Sequence, residues 1–177
     1  MKKPFLFIVL IFCVTVSYTQ SINFESFDLK ENLPDWVKLK INDINIGKIL
    51  NIDNTLNPFY LECDLNGDSI LDVALFVSEK DSNKKGILII HGNTFVAFLL
   101  GAGAKFDNTN DDFQWLKVWK LYRDTIAYET TFTEDMDILG SKPVKLSFVA
   151  IEVAPSEGAS NLIIWDGMKY KWIHTGD

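Results

Sequence analysis

Oxygen-bearing side chains recur along Asp64-Leu65-Asn66-Gly67-Asp68-Ser69-Ile70-Leu71-Asp72 at a spacing that could surround a hard cation. Asp64, Asn66, Asp68 and Asp72 hold the first, third, fifth and ninth places, and the backbone carbonyl of Ile70 is available at the seventh. Calcium takes about six to eight oxygens, and a tight loop that turns alternate residues toward one centre supplies most of them. Three carboxylates and an amide over-neutralise a divalent ion, which suits calcium. The stretch is not an EF-hand: Leu75 stands twelfth, where a bidentate glutamate belongs, and the flanks read as strands rather than helices. A plainer reading competes. Asn66-Gly67 between apolar segments is a strong hairpin signal, and aspartates favour turns by bonding their own backbone. Both readings stay open on the residues alone. Calcium held here would bind weakly, on the order of 10⁻⁴ to 10⁻³ M, and would stiffen the loop rather than catalyse.

Other candidate sets are thinner. Asp107-Asn108-Thr109-Asn110-Asp111-Asp112 could supply distant ligands or a second weak site, although solvated loops share this composition, and Glu134-Asp135-Met136-Asp137 has no stronger claim. His91, beside Gly92-Asn93, reads as a turn residue, and His174 lies near the C-terminus. Two isolated histidines and one cysteine make neither a zinc site nor a nucleophile–base pair. Glu152 and Glu157 could act as acid and base in a glycosidase-like site, but carboxylates are common in this chain and chance explains the pair better. Gly101-Ala102-Gly103-Ala104 lacks the lysine and spacing of a phosphate-binding loop. Trp36, Trp115, Trp119, Trp165 and Trp172 could form an aromatic binding face or fill the core.

The N-terminus reads as a secretory signal. Lys2 and Lys3 precede an apolar run from Phe5 to Val16, and Ser17-Tyr18-Thr19 offers small residues for cleavage after Thr19, with Ser17 as the next site. A lone membrane anchor needs roughly 20 apolar residues, and this run is shorter. Bulky Phe12 before Cys13 argues against a lipoprotein. Removing residues 1–19 takes away two lysines and no acids, leaving 15 basic against 24 acidic side chains, a net charge of −9. Such a domain repels phosphate backbones and anionic lipid heads, so no nucleic-acid partner and no membrane span are expected. Only Cys63 remains after cleavage, so an internal disulfide is impossible, and the rest, 20–177, reads as one domain with a core of its own.

The elements that would position the acidic loop follow from the apolar pattern. Pro34 opens a short helix through Ile41, with Asn32 as a nearby cap and Val37, Ile41 and Ile44 on one face. Phe59–Cys63 and Leu71–Ser78 read as strands flanking the loop. Gly86–His91 and Thr94–Leu100 read as central strands buried on both faces. Phe113–Tyr122 suits either strand or helix. Arg123-Asp124-Thr125 reads as a tight turn into a strand over Ile126–Phe132, and Val144–Val153 reads as another strand. Leu162–Trp165 and Met168–Trp172 form a hairpin about the two-residue turn Asp166-Gly167. The expected fold is α+β, a mainly antiparallel twisted β-sheet of about eight or nine strands with a short N-terminal helix.

With these residues in view, the Asp64–Ala74 stretch resembles the calcium loop of FG-GAP and related integrin-alpha-like repeats, written roughly D-x-N-x-D-G-x-x-D-x-A. The resemblance implies a loop joining two strands and a calcium ion held by Asp64, Asn66, Asp68, Ile70 and Asp72. Ser69 replaces the usual glycine, which asks a residue with a side chain to adopt a strained backbone. Those families repeat the unit around a propeller, and one loop is present here. Gly101-Ala102-Gly103, Asp111–Trp115 and Glu157–Asp177 are similar to small exported bacterial proteins of unknown function that share this loop, a likeness that implies no activity. The expectation is therefore an exported module, periplasmic or extracellular, that binds or supports and is not an enzyme, with a protein or glycan as an open partner. The alternatives are a secreted hydrolase working through acidic residues and an inhibitor or immunity-type protein marked by an acidic protruding loop.

Overall fold

The computed structural model describes residues 29–43, 46–107 and 109–176; the signal expected over 1–19 lies outside them, as does Ile44 of the helix face. A 3-10 turn, Leu29–Asn32, leads into helix α1, Asp35–Asp43, and a short helix α2, Ile46–Ile49. Leu33, Val37 and Ile41, four residues apart, are all buried and give the helical segment its inward stripe. The carbonyl of Pro34 accepts the amides of Val37 and Lys38, so Pro34 stands at the cap position just before α1, and Asn32 ends the preceding 3-10 turn.

Eleven strands follow among the described residues. Strands β1 (Leu50–Ile52), β2 (Tyr60–Cys63), β3 (Asp72–Glu79), β4 (Lys85–Ile90) and β5 (Ala97–Gly101) form one sheet, in which β1 and β2 both pair with β3. Strands β6 (Val118–Tyr122), β9 (Ala150–Ala154), β10 (Ser160–Trp165) and β11 (Tyr170–Gly176) form a second, ordered β11-β10-β9-β6. Strands β7 (Ile126–Phe132) and β8 (Ile138–Lys145) pair as a separate hairpin. Every pairing is antiparallel, so the fold is mainly β with the helices before the first strand.

The two-residue strand period explains the layers. Along β3, Val73, Leu75 and Val77 face α1 with Leu33, Val37 and Ile41, while Ala74 and Phe76 face the second sheet with Trp119, Ile151 and Ile163. One apolar run thus serves two cores. On β4, Leu88 and Ile90 join the helix side, and Ile87 and Ile89 join the inter-sheet side. The far face of the second sheet is covered at Leu162 and Ile173 by the base of the β7–β8 hairpin, through Ala127 and Leu146.

Several sequence expectations are corrected. Strands β3 and β4 are buried on both faces, but β5 is an edge strand, and Thr94–Val96 belongs to the turn before it. The expected strand Val144–Val153 divides into the end of β8 and β9. The chain turns there because Leu146 enters the core beneath the hairpin and Phe148 lies over Gly67. Most of β8 was unexpected: its side chains are exposed and it carries Gly140 and Pro143, so no burial period marks it. In Phe113–Tyr122 only β6 is strand. The last hairpin turns through four residues, Asp166 to Lys169, with both Met168 and Lys169 amides on Asp166 Oδ1.

Candidate functional site

The Asp64–Asp72 loop joins β2 to β3, and its side chains organise its own backbone. Asp64 Oδ1 accepts the Gly67 amide at 2.6 Å and the Asp68 amide at 3.2 Å, while Oδ2 accepts the Ser69 amide at 2.9 Å. Asn66 Oδ1 accepts the Asp68 amide at 2.9 Å, and Asp68 Oδ1 accepts that of Ile70 at 2.8 Å. Asn66 Nδ2 donates to Asp68 Oδ2 at 3.1 Å. Two residues take positive φ, Gly67 at 83° and Ser69 at 68°. The strain expected where Ser69 replaces glycine is therefore present. Gly67 has a second reason to lack a side chain: an added Cβ would stand 2.1 Å from Phe148 Cε1.

Asp72 does a different job. Its side chain is 0 % exposed, and its two oxygens accept the Leu65 amide and the Gly92 amide, each at 2.9 Å. It thereby pins the start of the loop and the β4–β5 turn to the first residue of β3. Burial raises the Asp72 carboxyl above the ordinary aspartate range, and the backbone bonds from Gly92 and Leu65 only partly oppose this; the negative charge of Asp68 raises it further. Asp68 is shifted down, chiefly by the Ile70 amide and also by the side chains of Asn66 and Asn93. Among the described residues no lysine or arginine pairs with Asp64, Asp68 or Asp72.

The fit to a cation is a fit of charge and donor type. Among the described residues no three carboxylate, imidazole or thiol groups converge as a preformed metal cage. A calcium set here would also draw on the Asn66 amide and the Ile70 carbonyl, oxygens of a kind that calcium accepts.

His91 closes the turn before β5 with its backbone, its amide donating to the Val96 carbonyl and its carbonyl accepting the Phe95 amide, but its side chain faces inward. It is buried, its Nε2 lies 2.8 Å from the Tyr170 hydroxyl, and its ring packs against Phe98 and Trp165. Burial lowers its pKa, while the three loop aspartates pull it up. Burial also pushes the Tyr170 hydroxyl far above its ordinary value. A histidine inside an apolar run, at the end of a strand, was the available signal.

Of the remaining candidates, some have structural duties and others are exposed. Asp111 pairs with Lys84 at 2.6 Å, Asp112 accepts the Lys85 and Gln114 amides, and Asp107 accepts the Trp172 amide. Glu152 pairs with Lys120 across β9 and β6, and Glu157 is exposed in the following loop. Glu134, Asp135 and Asp137 sit at the exposed tip of the β7–β8 hairpin. Trp119 is buried with its Nε1 donating to the Pro58 carbonyl at 2.6 Å, and Trp115, Trp165 and Trp172 pack against the inter-sheet core. Trp36 differs. With Phe95, Ile70 and Leu71 it borders a trough of about 400 Å³ that also reaches Glu62, Ser69 and Gly92, so the acidic loop forms one wall of a partly apolar groove.

Compared with family models, curated proteins and solved structures, the chain matches none of them. Among the described residues no helix is long and apolar enough to cross a membrane.

Proposed function

We propose that the Asp64–Asp72 loop binds one calcium ion through Asp64, Asn66, Asp68, Asp72 and the Ile70 carbonyl, within an exported binding or structural module that is not an enzyme. One observation carries this reading: three carboxylates share a loop, no cationic side chain among the described residues pairs with them, and one of them is buried and raised in pKa by that burial and by its neighbour's charge. A divalent ion supplies the missing positive charge. It would hold Ser69, Ile70 and Leu71 in place as the wall of the trough beside Trp36 and Phe95, where a protein or glycan surface could dock.

The test is a melting series. Calcium at about millimolar concentration should raise the unfolding temperature, a chelator should reverse the rise, and Asp68→Ala should abolish it. Unchanged melting across that range removes the reading.

The alternative of an enzyme-blocking protein has one observation in its favour, the hairpin tip, where acids surround the exposed side chains of Met136, Ile138 and Leu139. A purified enzyme inhibited by the wild type and spared by Glu134→Lys would support it.

A further inference from the structure

Among the described residues the sheet edges are defended in every place but one. Strands β1 and β2 are short, β6 carries Lys120, and β11 lies along β7. The β8 edge is blunted by Lys142, Pro143 and Lys145, and it carries a register shift. The Leu146 amide bonds the Thr125 carbonyl, so by antiparallel alternation Ser141, Pro143 and Lys145 point their backbone groups outward. Proline thus stands where an outward N–H would otherwise invite a strand.

Strand β5, Ala-Phe-Leu-Leu-Gly, has no charge and no proline. The His91 amide bonds the Val96 carbonyl, so the hydrogen-bonded pairs with β4 are Ile89–Phe98 and Ile87–Leu100, and Ala97 and Leu99 aim both backbone groups at the open edge. Gly101 points the same way, and its amide is satisfied by the Ala104 carbonyl. Among the described residues no partner meets the outward groups of Ala97 and Leu99. The edge lies in a trough of about 390 Å³ between Phe106-Asp107 and Lys169-Tyr170.

The charges on the two walls are ordered along the strand. Tyr170 packs on Phe98 and on His91, which places Lys169 toward the start of β5. Asp107 holds the Trp172 amide, and the Trp172 ring meets Phe113, which lies beside Gly101 at the strand's end.

We propose that β5 is the interface between two copies of this chain, paired antiparallel about a two-fold axis at Phe98. Ala97 of each copy then faces Leu99 of the other, which forms four backbone hydrogen bonds and joins the two five-stranded sheets into one. The same two-fold sets Lys169 of each copy opposite Asp107 of the other, because antiparallel pairing lays the start of one strand against the end of its partner. That ordering of charge is what favours a second copy over an unrelated strand. The inference stands apart from calcium binding.

The test is sedimentation equilibrium of the mature chain over about a hundredfold range of concentration, with and without chelator. A dimer in both conditions is expected. Leu99→Pro removes an outward N–H while leaving the bonds to β4, and it should yield a monomer. Should that variant misfold, Lys169→Glu on the exposed rim should raise the dimer dissociation constant about tenfold. A wild-type monomer throughout the range overturns the proposal. So does a dimer indifferent to Lys169→Glu and to Leu99→Pro, which would place the contact elsewhere.

Discussion

Replacing Asp72 tests what holds the acidic loop to the sheet. Asp72→Ala removes the acceptor that two amides use, that of Leu65, which is buried, and that of Gly92, which is partly buried. A buried donor left without a partner costs about 1–3 kcal/mol, so the variant should lose about 2–5 kcal/mol, with the partly wetted Gly92 amide at the lower end. For a chain of this size each kcal/mol corresponds to about 2–4 °C, giving a fall of roughly 4–20 °C in melting temperature. Thermal and urea unfolding in chelator, followed by circular dichroism, would measure it without any metal contribution. Asp72→Asn keeps one acceptor oxygen in the same volume and should lose about half as much. A loss below about 1 kcal/mol for Asp72→Ala would refute the pinning role. Equal losses for the two variants would show that the charge matters and the acceptor geometry does not.

The loop backbone and the half-buried ion pair between Lys85 and Asp53 give three further expectations. Ser69→Gly relieves a side chain held at φ 68° and should stabilise the protein by about 0.5–1 kcal/mol in urea unfolding. Gly67→Ala drives a methyl group into Phe148 at a positive-φ position and should cost about 1–3 kcal/mol by the same measurement. Burial opposes ionisation of Asp53, but hydrogen bonds from Lys85 and Thr55 outweigh it and hold the carboxyl below its ordinary value of 3.8. With a depressed folded-state pKa, its contribution is present above the unfolded value and is lost as pH falls through the folded one. Melting temperature below about pH 4 should therefore fall less steeply in Asp53→Asn than in the wild type, and parallel slopes would contradict this.

Patterns of burial made much of the fold legible. The continuous apolar runs of β3 and β4 and the i,i+4 stripe of α1 are buried, and burial is what writes periodicity into sequence. Strand β8 was invisible for the converse reason. An exposed hairpin arm needs no apolar face, so Ile138 to Lys145 carries no period to detect. Strand β5 reads as central because its side chains pack toward two cores, and a missing neighbour along the hydrogen-bonding direction leaves no mark on side-chain type. At the site, the oxygen spacing was legible from the residues, and the cost at Ser69 from the resemblance to a loop that carries glycine there. The burial of Asp72 beneath Gly92, the His91–Tyr170 contact and the trough beside Trp36 join segments far apart in the chain, and no local rule connects them.

The most direct measurement is a calcium titration followed by backbone amide resonances. The amides of Gly67, Asp68, Ser69 and Ile70, which now bond the loop's own aspartate and asparagine oxygens, should shift together and saturate at about 0.1–1 mM calcium, as should the Leu65 and Gly92 amides held by Asp72. Resonances that stay still through about 10 mM calcium, or shifts confined to another acidic segment such as residues 109–112, would contradict a calcium site in this loop.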